Sequence, residues 1–284
     1  MEGLCVLFYR LNFSCLSALI IACISSTPAW SLKAQSASMD TFEPPNTVGE
    51  RKRESSLHVI DLTQPISSRT PTYEGKTNEY SYQKLSTVQK DGYFTGAFHI
   101  PEHFGTHMDA PVHFFEGSTT IDKLAPEKLI LPAVVIDVRD EATRNPDYEL
   151  TMDKIDEFES RGRITPGCAV LLRTGWDKRY ADADKYRNPD DSKQMHFPGF
   201  SSAAAKYLVE DRRVAALGID TLSVDPGKSE VFPVHKLVLS HDLFLLENLC
   251  NLDLLPSRGI LLFCGALPIE GGSGSPARVL AIVE

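Results

Sequence analysis

The chain has 284 residues, 42% apolar and 24% charged, ordinary proportions for a globular protein with a full core, which excludes collagen, coiled coil and wholesale disorder. Its 29 lysines and arginines face 38 aspartates and glutamates, a formal charge of −9, and no basic stretch could neutralise a run of phosphates, so nucleic acid is not an expected partner. Three of the six cysteines (Cys5, Cys15, Cys23) crowd the N-terminus and the rest are Cys168, Cys250 and Cys264, which makes no disulfide framework.

Arg10 precedes the apolar run LNFSCLSALIIACI at 11–24, and small residues follow it at 25–29. The run falls short of the roughly 20 residues a spanning helix needs. A signal peptide or N-terminal anchor over 1–30 is therefore expected, then a polar linker over 31–56, with a single domain over 57–284. The mature chain is expected to be secreted or to sit in the secretory-pathway lumen, with no stable membrane span.

Strands are predicted at LHVIDL (57–62), YFTGAFHI (93–100), PAVVIDV (132–138), CAVLLRT (168–174), VAALGID (214–220), GILLFC (259–264) and RVLAIV (278–283), each rich in branched or aromatic residues. Helices are predicted at TMDKIDEFES (151–160), with a Thr cap, and SSAAAKYLVEDRR (201–213), with a Ser cap. Strands outnumber helices, so the fold class is α/β: one strand-rich mixed domain.

The segment HFGTHMDAPVH carries His103, His107, Asp109 and His113 at intervals of four, two and four. In an extended chain all four point to one face, whereas a helix would put Asp109 across from His107 and would hold Gly105 and Pro111 badly. Imidazole nitrogens and a carboxylate oxygen are ligands for zinc, manganese or iron(II), and two histidines with one carboxylate leave positions open for water and substrate. Gly105 is expected to let backbone approach the ion, and Thr106 to bond a ligand from behind. Further ligands are sought in VHKLVLSHDLFLLENL, where Glu247 closes an apolar run and would be costly to bury unpaired. His235 and His241 compete for the remaining place, and spacing alone does not choose.

These residues belong to an ordered series of blocks: DLTQPI (61–66), H-x-G-T-H-x-D-A-P-x-H-F (103–114), PAVVIDV, VLLRTGWDKR (170–179), HFPGFS (196–201), GIDTLSVDPG (218–227), FPVH (232–235), LLENLCNLDLLP (245–256) and GGSGSPARVLAI (271–282). The series resembles the cyclase-like metal-dependent amidohydrolase family, which includes bacterial-type kynurenine formamidases and isatin hydrolases. The resemblance implies that His103, His107 and Asp109 bind a divalent metal, zinc or manganese, as one or two ions. It implies that His235 and Glu247 complete the site, and that His113 serves as acid or base. Tyr73, in TPTYEG, matches an aromatic position, commonly tryptophan, that touches the substrate ring. Glu247 stands where isatin hydrolases of this kind can carry glutamine, which favours the formamidase side. The implied fold is the swivelling β/β/α arrangement, assembled as a homo-oligomer, dimer or tetramer.

The expected activity is hydrolysis of the carbon–nitrogen bond of a small aromatic amide, N-formylkynurenine to kynurenine and formate in tryptophan catabolism. The alternatives are isatin-type cyclic amide hydrolysis and a secreted, non-catalytic interaction protein. Trp176 is placed either in the pocket wall or in the core. Serine chemistry would need a G-x-S-x-G elbow, which GGSGS (271–275) does not match; a glycine-rich turn is expected there. Cys168, Cys250 and Cys264 are expected to be buried small hydrophobes.

Overall fold

The computed structural model of the protein describes residues 57–75 and 79–283; the expected signal peptide and linker lie outside the described residues. Twelve strands are found among them: β1 (His58–Asp61), β2 (Ser81–Ser86), β3 (Thr95–His99), β4 (His107–Asp109), β5 (Ile130–Asp137), β6 (Glu149–Leu150), β7 (Ala169–Arg173), β8 (Gly199–Phe200), β9 (Ala216–Ile219), β10 (Phe244–Glu247), β11 (Ile260–Ala266) and β12 (Gly274–Val283). Six α-helices accompany them: α1 (Val88–Asp91), α2 (Arg139–Arg144), α3 (Met152–Glu159), α4 (Ala183–Arg187), α5 (Ser202–Lys206) and α6 (Pro233–Ser240). All seven strands expected from branched-residue runs are present. The fold is α/β and dominated by strands.

The large sheet runs β1-β12-β11-β5-β7-β9-β10-β4, and β4 pairs back onto β12 through Asp109↔Gly274 and His107↔Pro276. Seven strands thereby close into a barrel, with β1 added along the far end of β12. β5, β7, β9 and β10 are mutually parallel and the remaining pairs antiparallel. Period-two alternation decides what each strand buries. Leu131, Ala133, Val135, Leu171, Ala216, Phe244 and Leu246 point into the barrel with Met108 and Leu262. Val134, Ile136, Val170, Leu172, Leu217, Ile219 and Leu245 point outward, under α3, α5 and α6. That two-sided burial is why the parallel strands read as unbroken apolar runs.

Helix α3 starts where expected, the Thr151 hydroxyl accepting from the Lys154 N–H. The second expected helix is α-helical only over α5 and then widens into a π-helical stretch, Tyr207–Asp211. The wider turn keeps Leu208 and Val209 buried while Arg212 makes a two-pronged ion pair with Glu159. β12 begins at Gly274, four residues before the expected strand, so GGSGS is only in part a turn. Cys168, Cys250 and Cys264 are buried and free. Among the described residues no helix is long and apolar enough to cross a membrane.

Candidate metal centre

Strand β4 is three residues long, and alternation puts His107 and Asp109 on one face while Met108 fills the barrel on the other. The expectation of one extended run carrying all four polar residues needs correction. Pro111 has no N–H for a ladder and opens a 3-10 turn, Pro111–His113, so His113 arrives from a turn and His103 from the loop before β4. The four groups still converge: the rings of His103 and His113 stack with centroids 4.0 Å apart.

Gly105 has φ +66, the left-handed region that glycine occupies without a Cβ clash. This turn aims the Gly105 carbonyl at His107, whose Nδ1–H donates to it at 2.9 Å. His107 Nε2 is left facing Asp109 Oδ1 at 3.2 Å and Glu247 Oε2 at 3.4 Å. Thr106 does not bond a candidate ligand. Its hydroxyl donates to the Asn248 carbonyl and accepts from the Gln64 N–H, pinning β4 beside the end of β10.

Glu247 ends β10 directly opposite His107, and its Oε1 accepts from the Val224 N–H at 2.9 Å. His235 lies in the first turn of α6. Asp225, fully buried, accepts from the Val234 and His235 backbone N–H groups and, at 2.7 Å, from His235 Nδ1. His235 Nε2 is thereby turned toward Glu247 Oε1 at 3.1 Å and Asp109 Oδ2 at 3.3 Å. His241, the competitor, is exposed at the end of α6 and spends Nδ1 on the Leu237 carbonyl. The tertiary structure chooses His235.

The electrostatics call for a cation. Burial alone would depress the His107 imidazole, but the adjoining Asp109 and Glu247 carboxylates override it and raise the pKa to about 10. His235 is likewise held well above its ordinary value against burial, chiefly by Glu247. Burial would raise Asp109, yet the surrounding His103 and His107 hold it well below the usual carboxylate range. Asp109 Oδ2 is buried and has no hydrogen-bond partner. His107, Asp109 and Glu247 offer ligand atoms all within 4.8 Å of one another, as do His103, Asp109 and His113. A buried carboxylate common to both groups, with imidazole nitrogens on either side, is a donor set that fits a divalent cation.

Sequence reasoning missed three supports. Asp225 sat in a stretch, VDPG, that reads as a turn. Glu102 and Ser273 hold His103 from behind: His103 Nε2 lies 2.9 Å from Ser273 Oγ, and the Ser273 hydroxyl donates to Glu102. Gly274 is the third, for a Cβ there would lie 2.6 Å from His103 Cε1.

An aromatic wall stands beside the histidines. Phe114 and Phe232 lie 5.1 and 5.8 Å from the His235 ring, and Tyr73 is 5.9 Å from Phe232. Burial, then the Glu247 charge, raises the Tyr73 phenol. Trp176 is 2% exposed, its indole N–H donating to the Tyr186 carbonyl within a cluster that includes Tyr186 and Phe197. Tyr73 packs on that cluster, so Trp176 backs the wall and is itself core. His113 shows one side to solvent, and burial of the rest, with His103 and His235 nearby, lowers its pKa to about 4.

The family model described as "Putative cyclase" matches residues 60–226. Isatin hydrolase of Roseibium aggregatum is 34% identical over 253 residues, covering 83% of this chain and 95% of its own. Kynurenine formamidase of Bacillus cytotoxicus is 28% identical over 223 residues, covering 78% and 95%. Among solved structures, isatin hydrolase A from Ralstonia solanacearum is similar at TM-score 0.76 and 36% identity, over 80% of this chain and 92% of that one. With a buried histidine–carboxylate centre and relatives named as hydrolases over almost their full length, the chain is a metal-dependent hydrolase and belongs to the Cyclase family.

Proposed function

We propose that the enzyme opens the carbon–nitrogen bond of a cyclic aromatic amide of the isatin type. His103, His107, Asp109, His235 and Glu247 would hold one or two ions, and imidazole with carboxylate suits zinc and manganese alike. Asp109 Oδ2 carries the reading: it is buried without a hydrogen bond, and the imidazole nitrogen facing it, His235 Nε2 at 3.3 Å, is itself a candidate ligand. A divalent ion bound there supplies Lewis acidity, polarising the carbonyl oxygen and lowering the pKa of water.

The chain's own residues do the rest. Tyr73, Phe114 and Phe232 present faces against which a fused aromatic ring can lie. His113 is neutral at pH 7, so its imidazole can take the proton from the attacking water and deliver it to the departing nitrogen. Water adds to the carbonyl carbon, the ring carbon–nitrogen bond breaks as the nitrogen takes the proton held by His113, and the new carboxylate and amine remain on one ring-opened product.

The isatin reading draws support from 34% and 36% identity to isatin hydrolases against 28% to a formamidase. Glu247 favours the second reading, N-formylkynurenine, because it adds a buried carboxylate to the site. Purified enzyme loaded with zinc or with manganese and given each compound separately decides between them. Turnover of isatin with none of N-formylkynurenine is expected; the reverse would install the second reading, and unchanged turnover under a chelator would refute both.

A further inference from the structure

Three imidazoles turn toward Asp109, and they do not turn the same atom. His107 and His235 face its carboxylate through Nε2, at 3.2 and 3.3 Å, whereas His103 faces it through Nδ1, at 2.7 Å. A neutral imidazole has one N–H and one lone pair, and only the lone pair can take a metal ion. The partner behind each ring therefore decides which atom it presents. Behind His107 stands the Gly105 carbonyl and behind His235 the Asp225 carboxylate, groups that only accept, so both rings carry their hydrogen on Nδ1.

Behind His103 stands a hydroxyl, Ser273 Oγ, 2.9 Å from Nε2, and a hydroxyl can either give or accept. Glu102 removes the choice. Its Oε2 accepts from the Ser273 backbone N–H at 3.0 Å and from the Ser273 hydroxyl at 2.5 Å, which spends the only hydrogen the hydroxyl has. His103 Nε2 is then the donor, and the lone pair lies on Nδ1, against Asp109. The glycines flanking Ser273 make room for this chain of bonds: a Cβ on Gly272 would lie 3.1 Å from Glu102 Oε1, and one on Gly274 2.6 Å from His103 Cε1. The GGSGS segment thus carries more than a turn.

We propose that Glu102, acting through Ser273, fixes the tautomer of His103 and so makes Nδ1, not Nε2, its ligand atom for the divalent ion. The inference rests on the metal centre of the proposed function and assigns Glu102 as a positioning residue, one that reaches the centre through a hydroxyl and a ring. Without its carboxylate the Ser273 hydroxyl is free to donate into Nε2, which moves the ring hydrogen to Nδ1 and closes that lone pair to the ion.

Long-range proton–nitrogen NMR of the zinc-loaded full chain distinguishes a protonated ring nitrogen from a metal-bound one. His103 should be bound through Nδ1, and His107 and His235 through Nε2. In zinc titrations Glu102→Leu should bind about 10–100-fold more weakly than the parent. Glu102→Gln, which keeps an oxygen for both Ser273 hydrogens, should bind as the parent does. Adding Ser273→Ala to Glu102→Leu should recover affinity, because the hydroxyl that donates wrongly is gone; a merely structural role would make the double variant worse. If Glu102→Leu does not fold, the parent spectrum decides. His103 bound through Nε2, or left unbound while the other rings hold zinc, overturns this proposal alone, as does a double variant weaker than Glu102→Leu. A parent that takes up no zinc overturns the metal centre with it.

Discussion

His113 and His107 are both imidazoles of one motif, and their surroundings drive them apart. His113 has its pKa lowered to about 4, chiefly by burial, and so is neutral as the proposed proton carrier, whereas His107 at about 10 is locked between Asp109 and Glu247. Replacing His113 with alanine should lower kcat by about 10²–10⁴ while metal content stays at the parent level; loss of metal in that variant would make His113 a ligand instead. The same contrast has a consequence for stability. In the metal-free protein the raised His107 contributes stability that is fully present below pH 6.5 and is lost as pH rises through about 10. The melting temperature of chelator-treated protein should therefore fall across pH 6.5–10, and His107→Gln should flatten that fall. The residue types of this motif were legible in the sequence, because three histidines and an aspartate at even spacing announce metal chemistry. Their protonation was not, since it is set by burial at His113 and, at His107, by Asp109 together with Glu247, 140 positions along the chain.

At the scale of elements, the site depends on the start of α6. Asp225 accepts two N–H groups of its first turn and the His235 Nδ1–H, so one carboxylate both caps the helix and aims a candidate ligand. Asp225→Asn keeps a cap but disturbs the ring's hydrogen bond. It should weaken metal binding by about 10–100-fold, measured by titration, with activity restored at saturating metal. Failure of added metal to restore turnover would count against a positioning role. The strands themselves were readable from branched residues and alternation, as β5, β7, β9 and β11 demonstrate. The even spacing at 103–113 read as extended but did not show that only His107–Asp109 is strand, with Pro111 opening a turn two residues later, and nothing local marked the π-helical widening after α5.

At the scale of the whole molecule, the candidate ligands come from β4, β10, α6 and the loop before β4. A cation shared among them would tie together segments from residue 103 to residue 247. Binding only to the native state, it should raise stability by about 2.7 kcal/mol at a hundredfold excess over Kd. For a domain of this size that is a rise of roughly 5–10 °C in Tm, read by scanning calorimetry before and after dialysis against chelator. No shift on adding zinc or manganese would argue that the five groups are not a metal centre.

The chain's chemistry and its secondary structure were written in local patterns: the evenly spaced donors at 103–113, the carboxylate ending an apolar strand at Glu247, and the branched runs of the barrel. Spacing left His235 and His241 open and the family resemblance pointed to His235; tertiary structure showed how Asp225 turns it to the centre, that Trp176 backs the wall from inside the core, and that Ser273 and Glu102 brace His103. The reason is physical. Alternation and propensity act over a few residues, whereas which donor meets which carboxylate is settled by barrel closure, and closure brings together groups with no periodic relation in the chain.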